Sequence, residues 1–257
     1  MSAAAASAGA ADAHAGQALQ GRVILVSGAH GGLGRAASIA CARAGATVVL
    51  LGRKVPKLNR VYDAIAKHPD ANWPEPVNYP LDLEGASPDD YAELAERIAF
   101  RFSRLDGVLH CAAEFRGLAS LERSDPAVLA RAIHVNLTAR VWLTQACLPL
   151  LRRATDSAVV FVVDDRERVG GAYWGGYGLA QHAMAALVGM LHAELANSPV
   201  RVSGLQPGPM RTSLRAQAYV EEDDRDAGDP ERHADDCVTL LSSAGAAHRG
   251  QVWIPTP

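Results

Sequence analysis

The stretch Ser27-Gly28-Ala29-His30-Gly31-Gly32-Leu33-Gly34 sets four glycines between an apolar run, Val23–Val26, and a segment of helical spacing that starts at Gly34. A glycine-rich turn between a strand and a helix lets backbone N–H groups approach a pyrophosphate, and the helix N-terminus adds positive potential. His30 reads either as a phosphate neighbour or as a turn filler. A second position bears on the same ligand. At the end of the next apolar run, Leu50-Leu51-Gly52-Arg53, a carboxylate would bind both ribose hydroxyls of NAD and repel a 2′-phosphate. The chain has Gly52 at that position and Arg53 beside it, and a guanidinium pairs with phosphate through charge-assisted hydrogen bonds. The residues therefore favour NADP(H) over NAD. The other reading makes Arg53 a solvated surface group together with Lys54 and Lys57.

Other chemistries find no support. The four cysteines, Cys41, Cys111, Cys147 and Cys237, form no CxxC pair, and the nine histidines show no HExxH spacing. Neither a metal centre nor a disulfide framework is expected. A net charge of −3 argues against nucleic acid or an anionic membrane surface as a partner. No apolar run approaches the roughly 18 residues of a membrane span, so a soluble, cytoplasmic protein is expected. Residues 1–20 are rich in Ala, Gly and Ser and contain neither Lys nor Arg. They read as a disordered tail without the basic residues of a targeting signal.

Positioning the glycine turn requires alternating elements. Short Val-rich runs at Val23–Val26, Thr47–Leu51, Val77–Tyr79, Val108–Cys111, Val159–Val163, Val200–Leu205 and Gln251–Ile254 predict strands covered on both faces. Amphipathic stretches at Gly34–Ala44, Val55–Lys67, Pro88–Phe102, Pro126–Arg152, Tyr177–Ala196 and Pro230–Ser243 predict the helices between them. Such alternation predicts an α/β fold, a doubly wound parallel sheet of the Rossmann type, in a single domain over residues 21–257.

In this frame the chain resembles the short-chain dehydrogenase/reductase family, in its short, single-domain, NAD(P)-binding branch. The family pattern Thr-Gly-x-x-x-Gly-x-Gly is met with Ser27 in the threonine's place. Further matches are Leu81-Asp82-Leu83 after the third strand, Val135-Asn136-Leu137 in the long helix, and Tyr177 opening the next. Gln206-Pro207-Gly208-Pro209-Met210-Arg211-Thr212 follows the sixth strand. The resemblance runs from about Gly21 to the C-terminus. It implies cofactor contacts from Ser27, Gly28, His30, Gly32, Leu33 and Gly34 at the pyrophosphate, and from Asp82 and Leu83 at the adenine. Pro207, Gly208 and Thr212 would border the nicotinamide. Asp82 reads equally as a turn residue before a helix.

The resemblance also implies a catalytic tetrad of Asn, Ser, Tyr and Lys, and half of it is replaced. Tyr177 takes the acid/base place and Asn136 the asparagine's. The lysine position, four residues after Tyr177, is Gln181, and the serine position is Asp164. The family's Asn-Asn-Ala-Gly segment is His110-Cys111-Ala112-Ala113, where Cys111 reads as a structural cysteine near the cleft. The chain's only lysines, Lys54, Lys57 and Lys67, all precede the third strand. A phenol of ordinary pKa, near 10, is a poor base at neutral pH without a cationic neighbour. Gln181 brings no charge, and an ionised Asp164 would repel both a phenolate and a substrate alkoxide. Each loss costs roughly 10²–10⁴ in rate.

Three readings of the replacement stay open: a neutral Asp164 donating to the substrate oxygen, His182 or Arg166 standing in for the lysine charge, or a solvated turn at Asp164-Asp165-Arg166. Two functions are accordingly expected in competition. One is an NADP(H)-binding oxidoreductase acting on a small-molecule carbonyl or secondary alcohol, with Tyr177 as acid/base in an impaired site. The other is a catalytically inactive nucleotide-binding sensor or scaffold. Residues 214–229, acidic in character, fall where the family has its substrate lid. Apolar faces on the helices around Pro126–Arg152 and Tyr177–Ala196 predict a homodimer or homotetramer.

Overall fold

The computed structural model of the chain describes residues 17–69, 72–219 and 227–256. Seven strands, β1 (Val23–Ser27), β2 (Thr47–Gly52), β3 (Val77–Pro80), β4 (Gly107–His110), β5 (Ser157–Val162), β6 (Val200–Leu205) and β7 (Val252–Trp253), form one sheet in the order β3-β2-β1-β4-β5-β6-β7. Every neighbouring pair is parallel, so each connection crosses a face of the sheet. The helices are α1 (Gly32–Arg43), α2 (Val55–Ala66), α3 (Pro88–Phe102), α4 (Pro126–Ile133), α5 (Ala139–Leu151), α6 (Arg166–Val169), α7 (Gly175–Glu194) and α8 (Ala234–Leu241).

Helices α1, α2 and α8 bury their apolar residues on one face of the sheet. Helices α3, α5 and α7 do so on the other. Burial from both sides explains why β1 and β4 read as unbroken apolar runs. The strand order reverses between β1 and β4, so the loops leaving their C-terminal ends diverge to opposite faces and open a crevice there. The doubly wound α/β sheet expected from the alternation is the fold observed.

Helix α3 begins with a reciprocal cap: Ser87 Oγ accepts from Asp90 N and the Asp90 carboxylate accepts from Ser87 N. Pro88 follows at the first helical position, where its missing N–H costs nothing. Replacing Ser87 by alanine is expected to cost about 1 kcal/mol, seen as a fall in Tm of roughly 2–4 °C.

Three boundaries differ from expectation. The single helix foreseen over Pro126–Arg152 is α4, a π turn over His134–Thr138, and α5. The Asn136 side chain, which sits in that turn, donates to Ala132 O at 2.8 Å, and such side-chain insertion into a helix ladder widens it. The short helix α6 was not foreseen; the Asp165 side chain caps it by accepting from Glu167 N at 3.0 Å. Residues 17–20, assigned to the tail, belong to the fold. Leu19 is fully buried against α1 and β2 residues, and its N–H donates to Ala44 O at 2.9 Å. Residues 1–16 of the expected tail, and 220–226 of the acidic segment 214–229, lie outside the described residues. Among the described residues no helix is long and apolar enough to cross a membrane.

Candidate active site

A cleft of about 470 Å³ opens where β1 and β4 diverge. Its floor is the glycine turn. Gly28 has φ +68°, and a Cβ there would come within 2.6 Å of the Ala112 backbone. Only glycine lets β1 and the end of β4 approach this closely. Gly34 packs in the same way, since a Cβ would lie 2.2 Å from Gly28 O. Gly31 precedes α1 with no side-chain cap, and its first turn carries no acidic residue. The first N–H groups of the helix are therefore left to a ligand. Gly28, His30, Gly32, Leu33 and Gly34 all line the cleft. Ser27 does not. It is fully buried below the turn, and its hydroxyl accepts from Ala112 N at 3.5 Å, a position from which it supports the turn.

Around His30 the cleft is cationic. Burial first, then the charges of Lys57, Lys54 and Arg53, hold its imidazole below the ordinary value. His30 Nδ1 is buried without a partner among the described residues. Arg53 lies 3.8 Å from Asp82, both half exposed, a pair weak enough to exchange for a better anion. Asp82 also caps the following turn, accepting from Glu84 N at 3.2 Å, so both of its expected roles are compatible with its position. Leu83 lines the cleft beside it, and Pro207, Gly208, Met210 and Thr212 form the opposite rim. An orphaned imidazole nitrogen, three neighbouring cations and a glycine-rich turn fit a phosphate-bearing dinucleotide.

At the other end lies Tyr177, in the first turn of α7 and 5% exposed. Its hydroxyl donates to Asp164 Oδ2 at 2.9 Å. Asp164 Oδ1 accepts from Asp165 N at 2.7 Å and pairs with Arg168 Nη2. The Asp164 N–H donates to Gln181 Oε1 at 3.0 Å, and Gln181 is buried. Tyr177, Asp164, Arg168 and Gln181 thus form one connected group at the cleft. Burial foremost, then the Asp164 charge and hydrogen bond, raise the Tyr177 phenol well above its ordinary value, against the pull of Arg140 and Arg168.

Two expectations about this corner are corrected. The solvated turn holds for Arg166, which is exposed, but Asp164 faces inward onto Tyr177. The reason is α6, which turns Arg168 back over Asp164 at i+4. His182 and Arg166 do not supply the missing charge. His182 is exposed, its Nδ1 2.9 Å from Gly178 O, and neither residue lines the cleft. The cations beside Tyr177 are Arg168 and Arg140. Arg140, 1% exposed, donates from Nη1 to Val162 O at 2.9 Å and from Nη2 to Ala112 O. Among the described residues it has no carboxylate partner, and burial lowers its pKa to about 10. A sequence signal existed: Arg140 is the one charged residue between Val135 and Leu151.

Asn136 is also corrected. It is fully buried, with Nδ2 donating to Glu114 O and Ala132 O and Oδ1 accepting from Glu114 N. Both amide protons are used on backbone, and the side chain pins the loop after β4 instead of lining the cleft. Cys111 does line it, and burial pushes its thiol up to about 12, so it stays protonated at neutral pH. Above Tyr177, Phe115 and Trp174 pack with Leu214, Ala218 and Tyr219 of the segment after β6. Arg211 fastens the base of that segment through Ala227 O, Gly228 O and Asp229.

Comparison with known proteins places the fold in one family. A family model described as short chain dehydrogenase matches residues 22–223. The oxidoreductase YciK of Escherichia coli K12 is 38% identical over 205 residues, covering 80% of each chain. A short chain dehydrogenase structure from Pseudomonas syringae superposes with a TM-score of 0.87 at 38% identity, covering 93% of this chain and 96% of the other. One from Shigella flexneri, solved as a complex with NADP, gives 0.88 at 33% identity, covering 94% of this chain and 100% of the other.

Proposed function

The chain belongs to the short-chain dehydrogenase family, and on that premise we propose that it is an NADP(H)-binding oxidoreductase for a small-molecule carbonyl or secondary alcohol, slowed by Asp164 and Gln181. The bound nicotinamide would give or accept the hydride. The backbone of Gly28, Gly32, Leu33 and Gly34, with His30, would hold the pyrophosphate, Arg53 the 2′-phosphate, Asp82 and Leu83 the adenine, and Pro207, Gly208 and Thr212 the nicotinamide end. Structures in the family complexed with NADP support this choice of cofactor, as does the cluster of Arg53, Lys54 and Lys57 about His30.

The observation that carries the reading of a slowed site is the Tyr177–Asp164 hydrogen bond, 2.9 Å long. A phenol held by an anion and deprived of a cation on its own helix face neither ionises at neutral pH nor leaves room for charge on a substrate oxygen. Gln181 is engaged with the Asp164 backbone and adds no charge. The packing of Leu214, Ala218 and Tyr219 onto Phe115, Trp174 and Tyr177 favours the second reading, a nucleotide-binding sensor or scaffold, to the extent that those side chains fill the substrate space. Exposed Leu179 and Met190 on α7 would meet a second copy of the chain.

Cofactor titration tests the first step. Arg53→Ala is expected to weaken NADPH binding about tenfold, the worth of one charge-assisted pair, and to leave NADH unchanged. Tighter binding of NADH that is indifferent to Arg53 would overturn the preference. Turnover on a broad carbonyl and alcohol panel separates the two readings, since slow turnover lost in Tyr177→Phe supports the enzyme and none at all supports the sensor.

A further inference from the structure

The direction of a single proton decides what the pocket beside Tyr177 can recognise. A phenol has one proton to give and lone pairs with which to accept. Tyr177 gives its proton to Asp164 Oδ2. Asp164 is held as an acceptor by Arg168 Nη2 and Asp165 N on Oδ1. Gln181 fixes the backbone from which the carboxylate projects. What remains at the Tyr177 oxygen toward the cleft is its capacity to accept. A ketone oxygen offers nothing to accept, whereas a hydroxyl does. The adjoining wall is aromatic, with ring centroids of Phe115 and Tyr177 5.2 Å apart, Phe115 and Trp174 5.1 Å, and Trp174 and Tyr219 6.4 Å. Such a surface suits a flat apolar body.

We propose that Tyr177, Asp164 and Arg168 form a proton-accepting relay that selects the alcohol form of an aryl-bearing ligand over the corresponding ketone. The proposal rests on the oxidoreductase reading and names the substrate class for the same site. When the alcohol is oxidised, its O–H proton passes to Tyr177 Oη while the Tyr177 proton passes to Asp164 Oδ2. The electron pair of that O–H bond becomes the second bond of the new carbonyl. The carbinol hydrogen would leave as hydride to the oxidised nicotinamide of bound NADP⁺, which would supply the two-electron acceptor. Tyr177 and Asp164 carry the proton. Arg168 is a positioning residue, since it acts through the carboxylate.

The test is a binding comparison in the full chain saturated with NADP⁺. One probe is 2-phenyl-2-propanol, which keeps the hydroxyl and has no carbinol hydrogen to lose. The other is acetophenone, which NADP⁺ cannot oxidise. Wild type is expected to bind the tertiary alcohol about tenfold more tightly, the worth of one hydrogen bond. Asp164→Ser frees the Tyr177 proton and should abolish or reverse the preference, and Tyr177→Phe should abolish it. NADP⁺ binding by each variant reports that it has folded. A second readout needs no cofactor: near-ultraviolet titration of tyrosine ionisation, taken as the difference from Tyr177→Phe, should show a lower Tyr177 midpoint in Asp164→Ser than in wild type. Equal or tighter binding of the ketone by wild type overturns the proposal, as does an unmoved midpoint. If NADP⁺ binds and neither probe does, the aryl-alcohol assignment falls while the cofactor reading stands. If NADP⁺ itself does not bind, the oxidoreductase reading falls with it.

Discussion

Asp164→Ser combined with Gln181→Lys is expected to raise carbonyl reduction about 10²–10⁴-fold over wild type. The serine removes the anion that holds the Tyr177 proton and raises the phenol. It also leaves a hydroxyl to steady a substrate oxygen. The lysine sits four residues after Tyr177, hence on the same helix face, where a cation lowers the phenol's pKa and stabilises developing negative charge. The two changes are interdependent. With Asp164 intact, a new lysine would pair with the carboxylate before it acted on the phenol, and with Gln181 intact, the serine alone supplies no charge. The double variant should therefore exceed the sum of the single gains. Kinetics of the four proteins on a carbonyl panel check this. A fast wild type whose rate survives Tyr177→Phe would show that the proton moves by another route.

Arg140→Ala is expected to cost about 3–5 kcal/mol of stability, a fall in Tm on the order of 10 °C. The side chain is among the largest that are fully buried. It ties Val162 O at the end of β5 to Ala112 O after β4. Truncation leaves both carbonyls unsatisfied beside a cavity the volume of the lost guanidinium and its stem. Arg140→Met restores most of the volume and none of the hydrogen bonds, so it should recover part of the loss. Thermal unfolding of the two variants separates the packing contribution from the polar one. A change in Tm within a degree for Arg140→Ala would show that the cation is not what joins these strand ends.

The sheet, its doubly wound order and the glycine turn were legible because they arise from local patterns. Val-rich runs at β1 and β4 mark burial on both faces, and the turn at Gly28 must be glycine for steric reasons visible in the sequence. The missing carboxylate at Gly52 and the cation at Arg53 are visible for the same reason, since one side chain at one position sets the charge, and the cofactor preference drawn from them is a proposal. The inward turn of Asp164 was not, because it depends on Arg168 folding back over it, and a four-residue helix such as α6 leaves little periodic signal. Asn136 and Ser27 were assigned to the cleft by pattern alone. Their hydrogen bonds, to Glu114 and toward Ala112, depend on which loops meet in space. Leu19 went unseen in a tract of small residues because a single leucine has no periodicity.

The π turn at His134–Thr138 has a consequence for every residue downstream of it. A helix that carries one surplus residue rotates its later turns by about 100° relative to an uninterrupted spiral. That swing aims Arg140 between the tips of two strands rather than along the flank of the sheet. Excising one position from this stretch would leave the composition of α5 untouched and yet steer its guanidinium elsewhere. The buried charge is thus addressed by upstream chain length as much as by its own identity.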